Sequence, residues 1–169
     1  NDIVLIFDEI TSGWRLTVGG AHLLYGVNPD LMVSAKAISN GFPMGTVLGR
    51  YEIMDIAQES FISSTYWTER IGPTAALATI DKLKKNDVPK HIKEVGKMIA
   101  EGWKNLADKY NLNIEILKPY ALITFNFISE ISQQLKTLFT QEMLKRGFLA
   151  SLSVYVSFSH QKDHVKEYL

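Results

Sequence analysis

The sequence predicts an α/β chain in which part of a mostly parallel sheet is followed by a small α+β unit. The first part contains short apolar runs, such as IVLIF at positions 3–7, separated by turns rich in Gly and Pro. The second part reads as long helices, then strand, strand, helix, strand and helix. We therefore expect residues 1–85 to end a larger α/β domain and residues 86–169 to form a small C-terminal domain.

The run at positions 3–7 is the first element, and it shows no alternation of apolar and polar residues. Unbroken apolar runs of this length are typical of a central strand of a parallel sheet, which is buried on both faces. Such a strand needs neighbours on both sides, and here the run begins immediately after Asn1 and Asp2. We expect sheet partners upstream, so the chain is interpreted as a C-terminal portion.

Two further patterns complete the expected α/β part. LMVSA at positions 31–35 predicts a second strand, which Gly41 and Pro43 prevent from running into a regular helix. An alanine-rich stretch at positions 75–83 predicts a helix that ends in the polar run KKND. The next helix has Pro89 in its first turn and an apolar stripe. The stripe comprises Ile92, Val95, Ile99, Trp103, Leu106 and Tyr110.

The last part of the chain alternates strands and helices. NIEIL and ALITFNFI predict two strands, and an amphipathic helix follows that Gly147 ends as its C′ residue. SVYVSF at positions 153–158 predicts the final strand, and a terminal helix is expected from about His160.

Composition narrows the range of functions. Lys plus Arg number 18, Asp plus Glu also number 18, and cysteine is absent. The zero net charge gives no reason to expect nucleic acid as a partner, and no apolar run is long enough to span a bilayer. Without cysteine there is no thiolate nucleophile or thiolate metal site. The four histidines show no convincing metal-ligand spacing, so we expect no bound metal. From the lack of long apolar runs we expect a soluble protein, and we place it in the cytoplasm.

Two motifs carry candidate chemistry. LIFDE places Asp8 and Glu9 at the end of the first strand, and DLMVSAK places Lys36 at the end of the second. Ligands of open parallel sheets bind at the carboxyl ends of the strands. A lysine at that edge is a candidate nucleophile toward carbonyl groups. Pyridoxal phosphate uses such a pair, because a lysine holds its aldehyde and an acidic residue keeps its ring nitrogen protonated.

The segments that carry these motifs resemble a known family. LIFDEITSGWR, the following GGAHLLYGVNPDLMVSAKAISNGFPMGTVLGR, and GFLASLSVYVSFSH near the end resemble the class III aminotransferases of fold type I. Within this family the chain is most similar to the glutamate-1-semialdehyde 2,1-aminomutases. The resemblance implies that residues 1–85 belong to the large cofactor domain, and that the cofactor is pyridoxal phosphate. It further implies amino-group transfer on a small amino or carbonyl substrate by a homodimer with shared sites.

The resemblance also implies roles for individual residues. Asp8 would pair with the pyridine nitrogen, Ile10 would pack against the ring, and Lys36 would form the internal aldimine. A threonine in SSTYWTER would reach the cofactor phosphate of the neighbouring subunit; Thr65 matches best, with Thr68 as the alternative. Thr11 and Ser12 replace bulkier residues common in the family, at a position near the phenolic oxygen of the cofactor. The amino donor, the acceptor, and the choice between mutase and transferase stay open.

Two other interpretations remain. Apolar residues followed by Asp8 and Glu9 also fit a Walker B strand, in which the Asp holds magnesium and the Glu polarises water. The absence of GxxxxGK[ST] and the Gly-bearing segment after Lys36 favour the pyridoxal interpretation. The second alternative is a fold type I relative that has lost catalysis and serves as a scaffold.

Overall fold

The computed structural model describes residues 3–169 and divides the chain into two compact units, Asn1–Pro89 and Lys90–Leu169. The first unit contains a three-stranded sheet and short helices. Its strands are β1 (Ile6–Asp8), β2 (Leu31–Ser34) and β3 (Thr46–Gly49). Its helices are α1 (Tyr51–Met54) and α2 (Ile71–Lys85), with 3-10 turns at Ala21–Leu24, Lys36–Ile38 and Asp55–Glu59.

The first sheet has the order β1-β2-β3, and its two pairings differ in direction. β1 runs parallel to β2, with Asp8 opposite Val33. β2 runs antiparallel to β3, with Ser34 opposite Thr46. Because β1 and β2 are parallel, their carboxyl ends lie at the same edge of the sheet, and the candidate residues follow both strands at this edge.

The second unit packs helices against an antiparallel sheet of order β4-β5-β6. α3 (Val88–Tyr110) begins just before the unit boundary and is its longest helix. The remaining elements are β4 (Ile114–Leu117), β5 (Leu122–Phe127), α4 (Ser132–Lys145), β6 (Ser153–Tyr155) and α5 (Lys162–Tyr168). The expected α+β arrangement of this part is therefore present. No described helix combines the length and apolarity needed to cross a membrane.

The core of the second unit contains the buried stripe predicted for α3. Val95 and Ile99 are each 2% exposed, and the Trp103 ring packs edge-on against Phe125 of β5 with ring centroids 4.7 Å apart. Tyr110, expected in the stripe, is instead 60% exposed at the last turn of the helix. The buried part of the stripe therefore ends before the last turn of the helix, earlier than the periodicity predicts.

Three boundaries differ from the sequence-based expectations. The final strand stops at Tyr155 rather than position 158, because the Ser157 N–H donates to Nδ1 of His160 within a turn. The terminal helix begins at Lys162, where Gln161 and His164 form reciprocal capping hydrogen bonds. The run at positions 3–7 is largely exposed and contributes a short β1, because β1 pairs only with β2 among the described residues.

Candidate active site

Asp8 and Lys36 follow two neighbouring parallel strands. Asp8 is the last residue of β1, and Lys36 lies two positions beyond the end of β2. Lys36 has a φ of 51°, in the left-handed region that residues other than glycine rarely adopt. A left-handed lysine costs roughly 1–2 kcal/mol in backbone energy, and such strain is concentrated at functional positions. The backbone therefore turns sharply at the point where the lysine leaves the sheet.

The loop after β1 brings Lys36 back to the carboxyl end of that strand. Lys36 Nζ donates a hydrogen bond of 2.6 Å to Oγ1 of Thr11, three positions after Asp8. Asp8 is exposed, and its Oδ1 accepts a hydrogen bond of 3.0 Å from the N–H of Ile10. Ile10 is half-buried beside it. The structure thus places the acidic residue and the amine on one loop-and-strand edge.

Neither charged group is neutralised by a neighbour. Among residues 3–169, Asp8 and Lys36 make no ion pair, although both lie at the edge of the same sheet. An exposed carboxylate without a cationic partner can accept a hydrogen bond from a protonated ring nitrogen. An exposed amine bonded only to a hydroxyl can react with an aldehyde. This pair of unneutralised groups fits pyridoxal phosphate.

A cleft of about 500 Å³ adjoins Lys36. Its lining includes Arg15, Lys36, Asn40, Gly41 and Phe42. Asn40 and Gly41 have φ values of 49° and 102°, so the chain reverses direction beside the cleft. The charged residues that line the cleft are both cationic, which favours an anionic group in this space.

Glu9 has a different role from its neighbour Asp8. Glu9 is 2% exposed, and its carboxylate accepts hydrogen bonds from the backbone N–H groups of Ala21 and His22 and from Nδ1 of His22 at 2.8 Å. Burial raises the pKa of Glu9, but the hydrogen bonds from His22 and Ala21 outweigh it and hold that pKa below its usual range. Glu9 anchors the loop and is not available to polarise a water, so nothing here supports the Walker B interpretation.

The threonines expected at a phosphate lie in an exposed segment. Thr65 and Thr68 are exposed, and neither makes a hydrogen bond to another residue in the described part of the chain. The local turn is held by Ser64, whose Oγ accepts from the N–H of Tyr66 at 3.2 Å. The structure therefore does not join Thr65 or Thr68 to Asp8 and Lys36.

Two contacts at the site were not anticipated from the sequence. One is the Thr11–Lys36 hydrogen bond, and the other joins Nε1 of Trp14 to Oγ of Ser34 at 2.8 Å. Ser34 is fully buried at the end of β2. A hydroxyl residue inside the apolar run LMVSA was the available signal, because a buried hydroxyl needs a partner.

Comparison with known proteins identifies the class. The family model for class III aminotransferases matches residues 1–169, so the chain belongs to that family. The family resemblance inferred from the motifs is confirmed.

Within the aligned regions, the curated relatives are 27–35% identical to the chain. Glutamate-1-semialdehyde 2,1-aminomutase from Methanocaldococcus jannaschii is 35% identical over 130 residues, which cover 75% of this chain and 30% of that protein. The enzyme of the same name from Clostridium beijerinckii is 31% identical over 185 residues, which cover 98% of this chain and 43% of that protein. The chain thus spans less than half the length of these relatives.

Solved structures confirm the fold. FumI protein from Sphingopyxis sp. MTA144, in its PLP internal aldimine form, superimposes with a TM-score of 0.90 at 20% identity, covering 96% of this chain and 40% of that one. An omega-transaminase from Sphaerobacter thermophilus gives a TM-score of 0.87 at 22% identity, covering 98% and 42%. The predicted fold class, part of the fold type I of pyridoxal-phosphate-dependent transferases, is confirmed.

Proposed function

We propose that the protein containing this chain transfers amino groups with pyridoxal phosphate as its cofactor. The observation that carries this proposal is the placement of Asp8 and Lys36 at the carboxyl ends of adjacent parallel strands, each without an ion-pair partner among residues 3–169. When bound, the cofactor supplies an aldehyde that takes up an amine and a ring that withdraws electrons from the substrate carbon. Membership in the class III family and the names of the relatives support this chemistry.

Lys36 and Asp8 have different proposed roles toward the cofactor. Nζ of Lys36 would hold the cofactor covalently and, once released by the incoming amine, would take a proton from the substrate carbon and return it. The amine must be uncharged when it accepts this proton. The Asp8 carboxylate would accept a hydrogen bond from the protonated ring nitrogen. Its negative charge would balance the positive charge of that nitrogen during the whole reaction.

The other proposed assignments concern contacts around the cofactor and the assembly. Ile10, half-buried and next to Asp8, would pack against the ring, and Thr65, or alternatively Thr68, would reach the phosphate bound by a second subunit. We propose a homodimer with shared sites, with residues 1–85 in the cofactor domain and residues 86–169 in the small domain. A cytoplasmic location is part of the same proposal.

The reaction subtype is the finer question. The names of the curated relatives support intramolecular transfer, in which the amino group stays on one molecule. The solved omega-transaminase supports transfer between two molecules only through a shared fold. Assaying the full-length protein with glutamate-1-semialdehyde and with a panel of ω-amino donors separates these activities.

The proposed function is tested by covalent labelling. The full-length protein is incubated with pyridoxal phosphate, reduced with borohydride and mapped by peptide mass spectrometry. We expect the pyridoxyl group on Lys36 and no label at this position in Lys36→Arg, which keeps the charge but not the reactive amine. A label on another lysine would overturn the assignment of Lys36, and a protein that takes no label would support the inactive-scaffold alternative.

A further inference from the structure

The amine of Lys36 has an unusual partner for a lysine at a site with carboxylates. Asp8 ends β1 and Glu9 follows it, yet Nζ of Lys36 donates to the neutral hydroxyl of Thr11 at 2.6 Å. Asp8 bonds instead to the N–H of Ile10, and Glu9 is buried and saturated by backbone N–H groups and His22. The geometry therefore separates the amine from both acids and directs it to one hydroxyl.

Thr11 occupies a fixed position. Its carbonyl oxygen accepts a hydrogen bond of 3.0 Å from Nε of Arg15, and the N–H of Gly13 donates to the carbonyl of Glu9 at 2.9 Å, which closes a turn around it. A Cβ atom at Gly13 would lie 2.8 Å from that same carbonyl oxygen, so this tight turn requires glycine. The branched side chain of threonine further restricts its χ1 angle. The hydroxyl is therefore presented in a defined direction.

A second hydrogen bond ties this loop to the strand of Lys36. The indole N–H of Trp14 donates to Oγ of Ser34, which is fully buried two positions before Lys36. Trp14 has a φ of 61°, so its backbone is also in the left-handed region. Lys36 and Thr11 belong to different segments of the chain, and this contact holds the two segments together beside them.

We propose that Thr11 is a positioning residue that holds the amine of Lys36 in one orientation. This inference rests on the proposed function, because it assigns the orientation to the lysine that would react. A hydroxyl can accept a hydrogen bond from an ammonium group and donate one to a neutral amine, whereas a carboxylate can only accept. Thr11 therefore keeps contact with Nζ in both protonation states, and a proton can be gained and lost without loss of position.

The test measures the reactivity of Lys36 without any cofactor. The full-length protein, stripped of cofactor, is acylated with trace acetic anhydride, and the labelling rate of Lys36 is compared with that of Lys104 in the same sample. When the amine is neutral, the Thr11 hydroxyl can donate to its lone pair, and this hydrogen bond must break before the amine attacks a reagent. We expect labelling of Lys36 to increase about two- to tenfold in Thr11→Val, the range expected for the loss of one hydrogen bond.

Two further variants separate positioning from general loosening of the loop. Thr11→Ser retains the hydroxyl and is expected to restore the wild-type rate. Thr17→Val removes a hydroxyl of the same loop that donates to the carbonyl of Gly20 at 2.9 Å, and is expected to leave Lys36 unchanged. If Thr11→Val is misfolded by circular dichroism, Thr11→Ala makes the same comparison with a smaller side chain.

The outcomes distinguish this inference from the proposed function. Equal Lys36 labelling in wild type and Thr11→Val, or an equal increase in Thr17→Val, would overturn the positioning role. Neither result depends on cofactor, whereas failure of the proposed function would appear as the absence of a pyridoxyl label on Lys36 in wild type.

Discussion

Asp8 and Glu9 are neighbours in sequence, but their side chains meet different surroundings. Successive side chains of a strand point to opposite faces, so Asp8 is exposed while Glu9 is 2% exposed. Glu9 organises the loop between β1 and β2 by accepting hydrogen bonds from Ala21 and His22. A role in stability, and not in chemistry, follows for the second acid of the motif.

We expect Glu9→Gln to lower the free energy of unfolding at pH 7 by about 1–3 kcal/mol, because an amide replaces a charged acceptor of several hydrogen bonds. The pKa of Glu9 is held below its value of 4.5 in the unfolded chain. Its contribution to stability is therefore complete above about pH 4.5 and is lost as the pH falls through the folded-state pKa.

The measurement is urea denaturation of wild type and Glu9→Gln from pH 7 to pH 3. The difference between the two proteins should shrink below about pH 4.5. Glu59→Gln, at an exposed carboxyl in the same unit, should stay within about 0.5 kcal/mol of wild type. A stability difference for Glu9→Gln that is constant across this pH range would contradict the role of its charge.

Among the helices, α3 shows how closely the second unit is packed. Gly96 is buried on the face of α3 that approaches the backbone of Tyr120. A Cβ atom at Gly96 would overlap the carbonyl oxygen of Tyr120, which cannot rotate away. Glycine is required here by close approach, despite its low helix propensity.

Gly96→Ala should therefore lower the free energy of unfolding by about 1–3 kcal/mol through overpacking. Gly102→Ala is the matched control on the same helix, because the three atoms nearest to a Cβ there all belong to the side chain of Leu169. The Leu169 side chain is 40% exposed and can move, and alanine gains about 1 kcal/mol in helix propensity, so little net change is expected. Thermal unfolding measures the change in stability of both variants. An equal loss of stability in Gly96→Ala and Gly102→Ala would argue against the contact with Tyr120.

At the scale of the whole molecule, the chain covers less than half the length of its curated relatives, and the proposed phosphate contact lies in a different segment from Asp8 and Lys36. The matched curated relatives are more than twice as long as the part that the chain covers. Within the described residues, Thr65 lies in an exposed segment and makes no hydrogen bond to Asp8 or Lys36. A hydroxyl and a backbone N–H are good donors to a phosphate, and we propose that the phosphate reached by this segment is the one bound by a second subunit.

Complementation between two defective full-length proteins tests the shared site. Lys36→Ala and Thr65→Val are mixed under conditions of subunit exchange, and cofactor retention and activity are measured. If Thr65 acts across the interface, a heterodimer collects both lesions in one site and leaves the other intact, so both readouts should exceed those of either parent.

A parallel mixture of Lys36→Ala with Thr68→Val distinguishes the two threonines. Gain with Thr65→Val alone assigns the phosphate contact to Thr65, and gain with Thr68→Val alone assigns it to Thr68. Absence of gain in both mixtures would mean that the lesions act within one subunit, and an active monomer would contradict the shared site directly.

The sequence by itself determined the fold class, the family, β1, β2 and the succession of elements from α2 onward. These follow from patterns that are local along the chain: apolar runs, the 3.6-residue stripe of α3, and turn residues such as Gly147, whose φ of 87° ends α4 as expected. The positions of Asp8 and Lys36 at the ends of β1 and β2 could also be predicted, because each strand is a contiguous apolar run in the sequence.

Only the tertiary structure decided how the residues at those strand ends are shared between stability and chemistry. The Glu9–His22, Trp14–Ser34 and Thr11–Lys36 contacts join residues that are 13, 20 and 25 positions apart. No periodicity relates such residues, because the path of the intervening loop sets their separation. The burial of Glu9, the exposure of Asp8 and the hydrogen-bond partner of Lys36 are therefore decided only when the loop after β1 folds back onto the end of β2.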